Sequence, residues 1–118
     1  MKKFLTSFRF ALRGWVFVWK EEPNFRYQLT VGFLTLGLGY YFDVRPVEWA
    51  VLLICIALVL SLELVNTAIE RLVDLVTLDR RPLAGKVKDL AAGAVLLASI
   101  ASVFIGSIIF WPYIFPPR

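Results

Sequence analysis

The chain has 118 residues and a net charge of +4, 59% of its residues are hydrophobic, and its mean hydropathy is +0.74. A soluble domain of this size has too little interior to bury so much apolar surface, so we predict that much of the chain lies in a membrane. Having no histidine and one cysteine, the chain lacks the commonest general base and cannot form an intrachain disulfide. Its basic residues flank apolar runs, and we therefore expect no nucleic-acid partner.

The first 22 residues have the pattern of an amphipathic helix. Aromatic and aliphatic side chains recur at steps of three and four, while most basic residues lie off that stripe. Basic residues and tryptophans around one apolar face are typical of a helix that lies in the membrane interface. We therefore predict an interfacial helix over residues 1–22. A helix packed on a soluble core is the alternative.

Three apolar segments follow, and we predict that each crosses the membrane. The predicted spans, within one domain of residues 1–118, are 25–43, 47–76 (with its cytoplasmic extension) and 88–111. In the first span, Gly32, Gly37 and Gly39 could let a neighbouring helix approach closely. A proline and a glycine within residues 77–88 predict a polar loop there. The predicted fold class is an all-α integral membrane protein with an interfacial helix and three transmembrane helices.

The distribution of basic residues predicts the orientation of these spans. Six basic residues precede the first span and five lie in residues 71–88, whereas the other side has only two. Because loops rich in lysine and arginine stay in the cytoplasm, we predict that the N-terminus and the 71–88 loop are cytoplasmic. The C-terminus is then outside.

Four polar side chains share one face of the second span. Glu63, Asn66, Glu70 and Asp74 fall within about 80° of arc, at 100° per residue. Acidic groups in a membrane segment are costly to bury and usually mark a functional site. Interhelical hydrogen bonds and a salt bridge to a lysine are the structural alternative, and the residues alone leave it open.

The predicted topology brings three groups of charged residues to one membrane surface. Glu21 and Glu22 precede the first span, the acidic face ends the second, and Lys86, Lys88 and Asp89 begin the third. Carboxylates without histidine suit Mg²⁺, and a lysine suits a transferring phosphoryl group. A carboxylate free of metal could act as a general base. These are the components of a phosphoryl-transfer site, although the chain has no P-loop or kinase-type glycine loop.

Four stretches resemble the prokaryotic diacylglycerol kinase family, whose members are small trimeric integral-membrane lipid kinases. The stretches are FALRG at Phe10–Gly14, EEPNFR at Glu21–Arg26, ELVNTAIERLVD at Glu63–Asp74 and GKVKDLAAGA at Gly85–Ala94. The resemblance covers about Phe8 to Trp111. It implies a lipid kinase that uses ATP and Mg²⁺ and acts as a homotrimer in the bacterial inner (cytoplasmic) membrane.

The resemblance also implies roles for individual residues. Glu63 is implied to be the general base that takes the proton from the lipid hydroxyl, and Glu22 and Glu70 are implied to hold the metal ion. The implied nucleotide contacts are Glu22, Glu70, Lys88, Asp89 and Asp79. The implied supporting polar residues are Asn66 and Asp74. Asn66 is expected to orient Glu63.

Departures from the Gram-negative diacylglycerol kinases concern the lipid acceptor. Gln28 stands in place of a glutamate, and Ala11 and Ala92 stand in place of serines. The run KDLAAGAVLL is more similar to the undecaprenol kinase branch of the family. The resemblance therefore implies conversion of undecaprenol to undecaprenyl phosphate, with diacylglycerol as the alternative acceptor. A non-enzymatic membrane protein, whose acidic face pairs helices, is a more distant alternative.

Overall fold

A computed structural model describes residues 1–118 as four α-helices joined by short connections. The helices are α1 Lys2–Glu21, α2 Pro23–Tyr41, α3 Pro46–Val76 and α4 Pro82–Ile114. Three of them begin with proline at the first helical position. Proline suits that position because its fixed φ is already helical and its missing N–H has no intrahelical partner there. Proline is thus the first helical residue of α2, α3 and α4.

α3 is the central helix, because it contacts α1, α2 and α4. α3 and α4 are both long and apolar enough to cross a membrane, with a mean hydropathy of 2.3 in their most apolar windows. Only 28% and 22% of the residues in those windows are buried within the chain, whereas the core helix of a soluble protein is mostly buried. The all-helical membrane class is thereby confirmed. α2 is less apolar, and its crossing of the membrane stays a prediction, as do the boundaries of all three spans.

The predicted polar loop over residues 77–88 is wrong in its second half, because α4 begins at Pro82. Gly85 does not break this helix, since its N–H donates to the carbonyl of Arg81 over 3.1 Å and so closes the first turn. At the other end α4 continues through Pro112 to Ile114. Membrane helices tolerate such a proline because local adjustments satisfy the freed backbone groups.

α1 leaves most of its apolar surface exposed. Val18 is its only buried residue, whereas Phe4, Phe8 and Trp19 are all at least 46% exposed. The helix is attached to the rest of the chain at its C-terminal end, where Trp15 meets Phe25 of α2 edge-on at 6.4 Å. A helix over Lys2–Glu21 with an uncovered apolar face is compatible with the predicted interfacial helix, whose place in the membrane interface stays a prediction.

A carboxylate connects the N-terminal end of α3 to the C-terminal end of α4. Glu48 accepts hydrogen bonds from the Arg45 backbone N–H at 3.0 Å and from the Tyr113 hydroxyl. The hydrogen bond and the charge of Glu48 raise the pKa of the Arg45 guanidinium above its usual value. Beside this group Leu52 and Phe110 belong to a small apolar cluster. The loop between α2 and α3 is therefore anchored to the end of α4.

Two glycines of α2 set its distance from α3. A Cβ atom on Gly32 would lie 3.1 Å from Ile56, and one on Gly39 would lie 2.9 Å from the indole ring of Trp49. Gly37 meets no atom within 4 Å. The close approach predicted from glycine is thus confirmed at Gly32 and Gly39, but Gly37 has no such role within this chain.

We expect Gly39→Ala to lower the free energy of unfolding by about 1–3 kcal/mol, because the added methyl group overpacks a rigid indole ring. Gly37→Ala is the matched control and should not lower it, since alanine favours a helix over glycine. SDS-induced unfolding in detergent micelles measures both variants. Equal losses of stability would contradict the packing seen between Gly39 and Trp49.

Candidate active site

The polar face predicted for the second span lies on one uninterrupted helix, α3. Burial falls along that face toward the end of the helix. Glu63 is 5% exposed, whereas Asn66, Glu70 and Asp74 are partly buried. The four side chains therefore form a line that runs from the protein interior toward the surface of the helix bundle.

The carboxylate of Glu63 lies in a negative environment. The charges of Glu22 and Glu70 both act on it. On the side of the helix backbone, the hydroxyl of the fully buried Thr67 donates to the Glu63 carbonyl over 3.0 Å. A buried carboxylate that faces other carboxylates is suited to accept a proton, which is what a general base must do.

Asn66 is bonded to Glu70, and the expectation that it orients Glu63 is not met. Its Nδ2 group donates to Glu70 Oε1 over 3.3 Å. Its carbonyl oxygen Oδ1 is buried and has no hydrogen-bond partner. Buried polar atoms are nearly always paired, so this oxygen is available to accept a hydrogen bond or to bind a cation.

Glu22 reaches this site from the junction of α1 and α2. The backbone is extended at Glu22 (φ −120°, ψ 103°), which turns the chain between the two helices. Its Oε1 lies 3.4 Å from Nη2 of Arg71 on α3, and the Arg71 guanidinium lies over the ring of Phe17. Glu22 thus contacts α3 through Arg71, and its charge acts on Glu63. The role of Arg71 was missed, because its partner is 49 residues away in the chain.

Lys88 joins the far end of the polar face. Its Nζ lies 2.7 Å from Oδ1 of Asp74, so α4 is tied to the end of α3. The salt bridge to a lysine that the structural alternative required is therefore present. It accounts for Asp74 but leaves the buried Glu63 and the unpaired oxygen of Asn66 unexplained.

Asp79 and Asp89 lie apart from these residues. Asp79 is exposed in the loop before α4, where its N–H donates to the Thr77 hydroxyl over 3.1 Å. Asp89 follows Lys88 but is turned by about 100° around α4. It is exposed and lines a shallow concavity with Lys86 on a different face of the helix. Their predicted contacts with nucleotide stay predictions.

The residues fit a divalent cation that is shared with phosphates. No three acidic or cysteine side chains converge closely enough to form a complete metal cage. Mg²⁺ is usually held by one or two carboxylates together with substrate phosphates and water, and it needs no such cage. Glu22, Glu70 and the unpaired carbonyl oxygen of Asn66 provide that kind of incomplete set.

An apolar cavity of about 680 Å³ lies between α2, α3 and α4. Leu52, Ile56 and Val59 line it, and they stand eleven, seven and four residues before Glu63. These spacings repeat one helix face, so the cavity continues the polar face in the opposite direction from Asp74. This cavity was missed from the sequence, because it is formed by residues of three helices.

Several polar groups in the cavity wall have hydrogen-bond partners within the protein. The hydroxyl of Thr35 donates to the Val31 carbonyl over 2.8 Å, and Ser107 donates in the same way to its own helix. At the end nearer Glu63, Gln28 Nε2 donates to Ser99 Oγ over 3.4 Å.

One protein family and several named relatives match most of this chain. Residues 9–110 match the family described as prokaryotic diacylglycerol kinase. The chain is 38% identical to the undecaprenol kinase of Bacillus subtilis over 95% of this chain and 91% of that protein. It is 39% identical to a diacylglycerol kinase of Synechocystis over 92% of this chain and 62% of that protein. It is 29% identical to the diacylglycerol kinase of Escherichia coli over 88% of this chain and 85% of that protein.

The matched region begins in α1 and ends in α4, so it includes the whole polar face of α3 together with Glu22 and Lys88. Relatives that match over almost this whole length are named as kinases of lipids. The buried carboxylates, the apolar cavity and the sequence matches agree with one another. The chain belongs to the prokaryotic diacylglycerol kinase family.

Proposed function

We propose that this protein transfers the γ-phosphoryl group of ATP to the hydroxyl of a membrane lipid alcohol, and that undecaprenol is the preferred acceptor. The observation that carries the proposal is the buried Glu63, which lies between an apolar cavity and a group of carboxylates on one face of α3. A lipid hydroxyl would reach Glu63 from the cavity side. The nucleotide would approach from the side of Glu70 and Asp74.

In this reaction Glu63 accepts the proton of the lipid hydroxyl. The hydroxyl oxygen forms a bond to the γ-phosphorus of ATP, and the bond from that phosphorus to the β,γ-bridging oxygen breaks, so that ADP leaves. The products are the lipid phosphate, ADP and one proton, which Glu63 then releases. Burial of Glu63 keeps water away from the phosphoryl group and limits hydrolysis of ATP.

Glu22, Glu70 and the carbonyl oxygen of Asn66 would hold Mg²⁺. When bound, the ion neutralises charge on the phosphates. Lys88 would exchange its partner Asp74 for a phosphate oxygen, because a lysine binds phosphate as a point charge. Contacts of Asp79 and Asp89 with nucleotide remain part of the proposal on the strength of the family resemblance.

The placement of the chain in the membrane belongs to the same proposal. α2, α3 and α4 would cross the bacterial inner membrane, and α1 would lie in the cytoplasmic interface with its exposed tryptophans and basic residues. The N-terminus and the 71–88 loop would then be cytoplasmic and the C-terminus outside. A homotrimer would cover apolar surface that a single chain leaves exposed.

The cavity supports a polyprenol over diacylglycerol as the acceptor. It is apolar, and the residues that line it run from Val59 on α3 to Phe115 at the end of α4. A polyprenol is one long hydrocarbon chain with a terminal hydroxyl and has no ester groups to desolvate. Diacylglycerol has two chains and two polar esters, and it remains the second candidate because several relatives are named for it.

We expect the purified protein to phosphorylate undecaprenol with a kcat/KM at least about tenfold above that for diacylglycerol, since the transition state for the preferred acceptor gains more from the cavity. The measurement is the transfer of label from γ-labelled ATP into extracted lipid, with Mg²⁺ present. A preference for diacylglycerol would reverse the choice of acceptor. Transfer to neither lipid would contradict the kinase function itself.

We expect Glu63→Gln to lower kcat by about 10²- to 10⁴-fold, because glutamine fills the same space but cannot accept the proton. Glu21→Gln is the matched control, since Glu21 is an exposed glutamate beside the site. It should leave kcat unchanged. A Glu63→Gln protein that retains kcat within about tenfold of wild type would show that Glu63 is not the base.

A further inference from the structure

Arg71 already neutralises a carboxylate that the proposed reaction needs. Its Nη2 lies 3.4 Å from Oε1 of Glu22, and its side chain is 46% exposed while that of Glu22 is 21% exposed. The guanidinium carbon also lies 5.7 Å from the centre of the Phe17 ring. Arg71 is therefore held against the C-terminal end of α1 by one ion pair and one ring contact.

The ion pair and a bound metal ion compete for the same group. A divalent cation at Glu22 would stand next to the guanidinium, and the two positive charges would repel each other. The pair is easily broken, because partly exposed ion pairs contribute little to stability. The long, half-exposed side chain of Arg71 can then turn toward another anion.

A nucleotide that arrives with the metal ion supplies that anion. The guanidinium group is planar and always charged, and it binds phosphate oxygens with two parallel hydrogen bonds. Arg71 directly follows Glu70 in the chain and is turned by about 100° from it around α3, on the side where it meets Glu22. Released from Glu22, it would still be anchored beside the proposed metal-binding carboxylates.

We infer that Arg71 is an exchangeable counter-ion: it pairs with Glu22 in the empty site, and when metal and nucleotide bind it leaves Glu22 and binds the phosphates. This inference rests on the proposed function, because it uses Glu22 as a metal-binding residue. Arg71 would then have two opposite effects on binding affinity. The arginine weakens the binding of a metal ion alone and strengthens the binding of the metal with nucleotide.

The test is Arg71→Gln in the full-length protein in detergent. Electron paramagnetic resonance of free Mn²⁺ measures the affinity for the metal alone, and the same titration with a non-hydrolysable ATP analogue measures the affinity for the metal with nucleotide. We expect Mn²⁺ alone to bind about two- to fivefold more tightly in Arg71→Gln. We expect the Mn²⁺–nucleotide complex to bind about tenfold or more weakly.

Two further variants serve as controls. Arg80→Gln removes the same charge from the exposed loop before α4 and should change neither affinity by more than about twofold. Arg71→Lys keeps the positive charge, so Mn²⁺ alone should bind as in wild type, while the nucleotide complex should bind more weakly because lysine cannot form the two parallel hydrogen bonds.

A purely structural role for Arg71 would weaken both affinities together, since loosening α1 from α3 would displace Glu22. Weakening of both affinities would therefore overturn the inference. So would an unchanged affinity of Arg71→Gln for Mn²⁺ alone, or a wild-type protein that binds no Mn²⁺. The titrations contain no lipid acceptor and measure no turnover. A protein that phosphorylates no lipid therefore counts against the proposed function. If the protein is an active kinase but the two affinities of Arg71→Gln do not shift in opposite directions, only the inference about Arg71 is contradicted.

Discussion

The cost of placing carboxylates in an apolar helix is the constraint on which the rest of this molecule depends. Glu63 is buried on a helix otherwise rich in hydrocarbon side chains, and the charges of Glu22 and Glu70 act on it. Such a group is expensive in a membrane and needs a compensating partner or a function. Here the carboxylates gather at one place along α3. The same helix face carries hydrocarbon side chains on one side of Glu63 and polar groups on the other.

The surrounding fold holds these residues with few connections. Proline begins α2, α3 and α4, so turns of only a few residues fix where each helix starts. At one end of the bundle, Glu48 accepts a hydrogen bond from the Tyr113 hydroxyl, and this bond joins α3 to α4. At the other end, Lys88 pairs with Asp74 and joins the same two helices again. α3 is thereby fixed at both ends, while α1 is attached mainly through its C-terminal end.

Local patterns in the sequence were enough to predict the acidic face and the four-helix class, because both depend on the 3.6-residue period of a helix. The start of α4 was misplaced because proline breaks a preceding helix and also suits the first position of a new one. The pairs Glu22–Arg71 and Glu48–Tyr113 were not predicted, because each joins residues far apart in the chain whose meeting depends on helix packing. The cavity was missed for the same reason.

The central claim is that one face of α3 receives the lipid on one side of Glu63 and the nucleotide on the other. The most direct measurement is photocrosslinking with a polyprenol that carries a diazirine in its chain, followed by mass spectrometry of the labelled peptides. We expect adducts at Leu52, Ile56 or Val59, which line the cavity, and we expect them to be lost when excess undecaprenol competes. Adducts confined to the opposite, exposed side of the helix at Ile54 and Leu58 would contradict it.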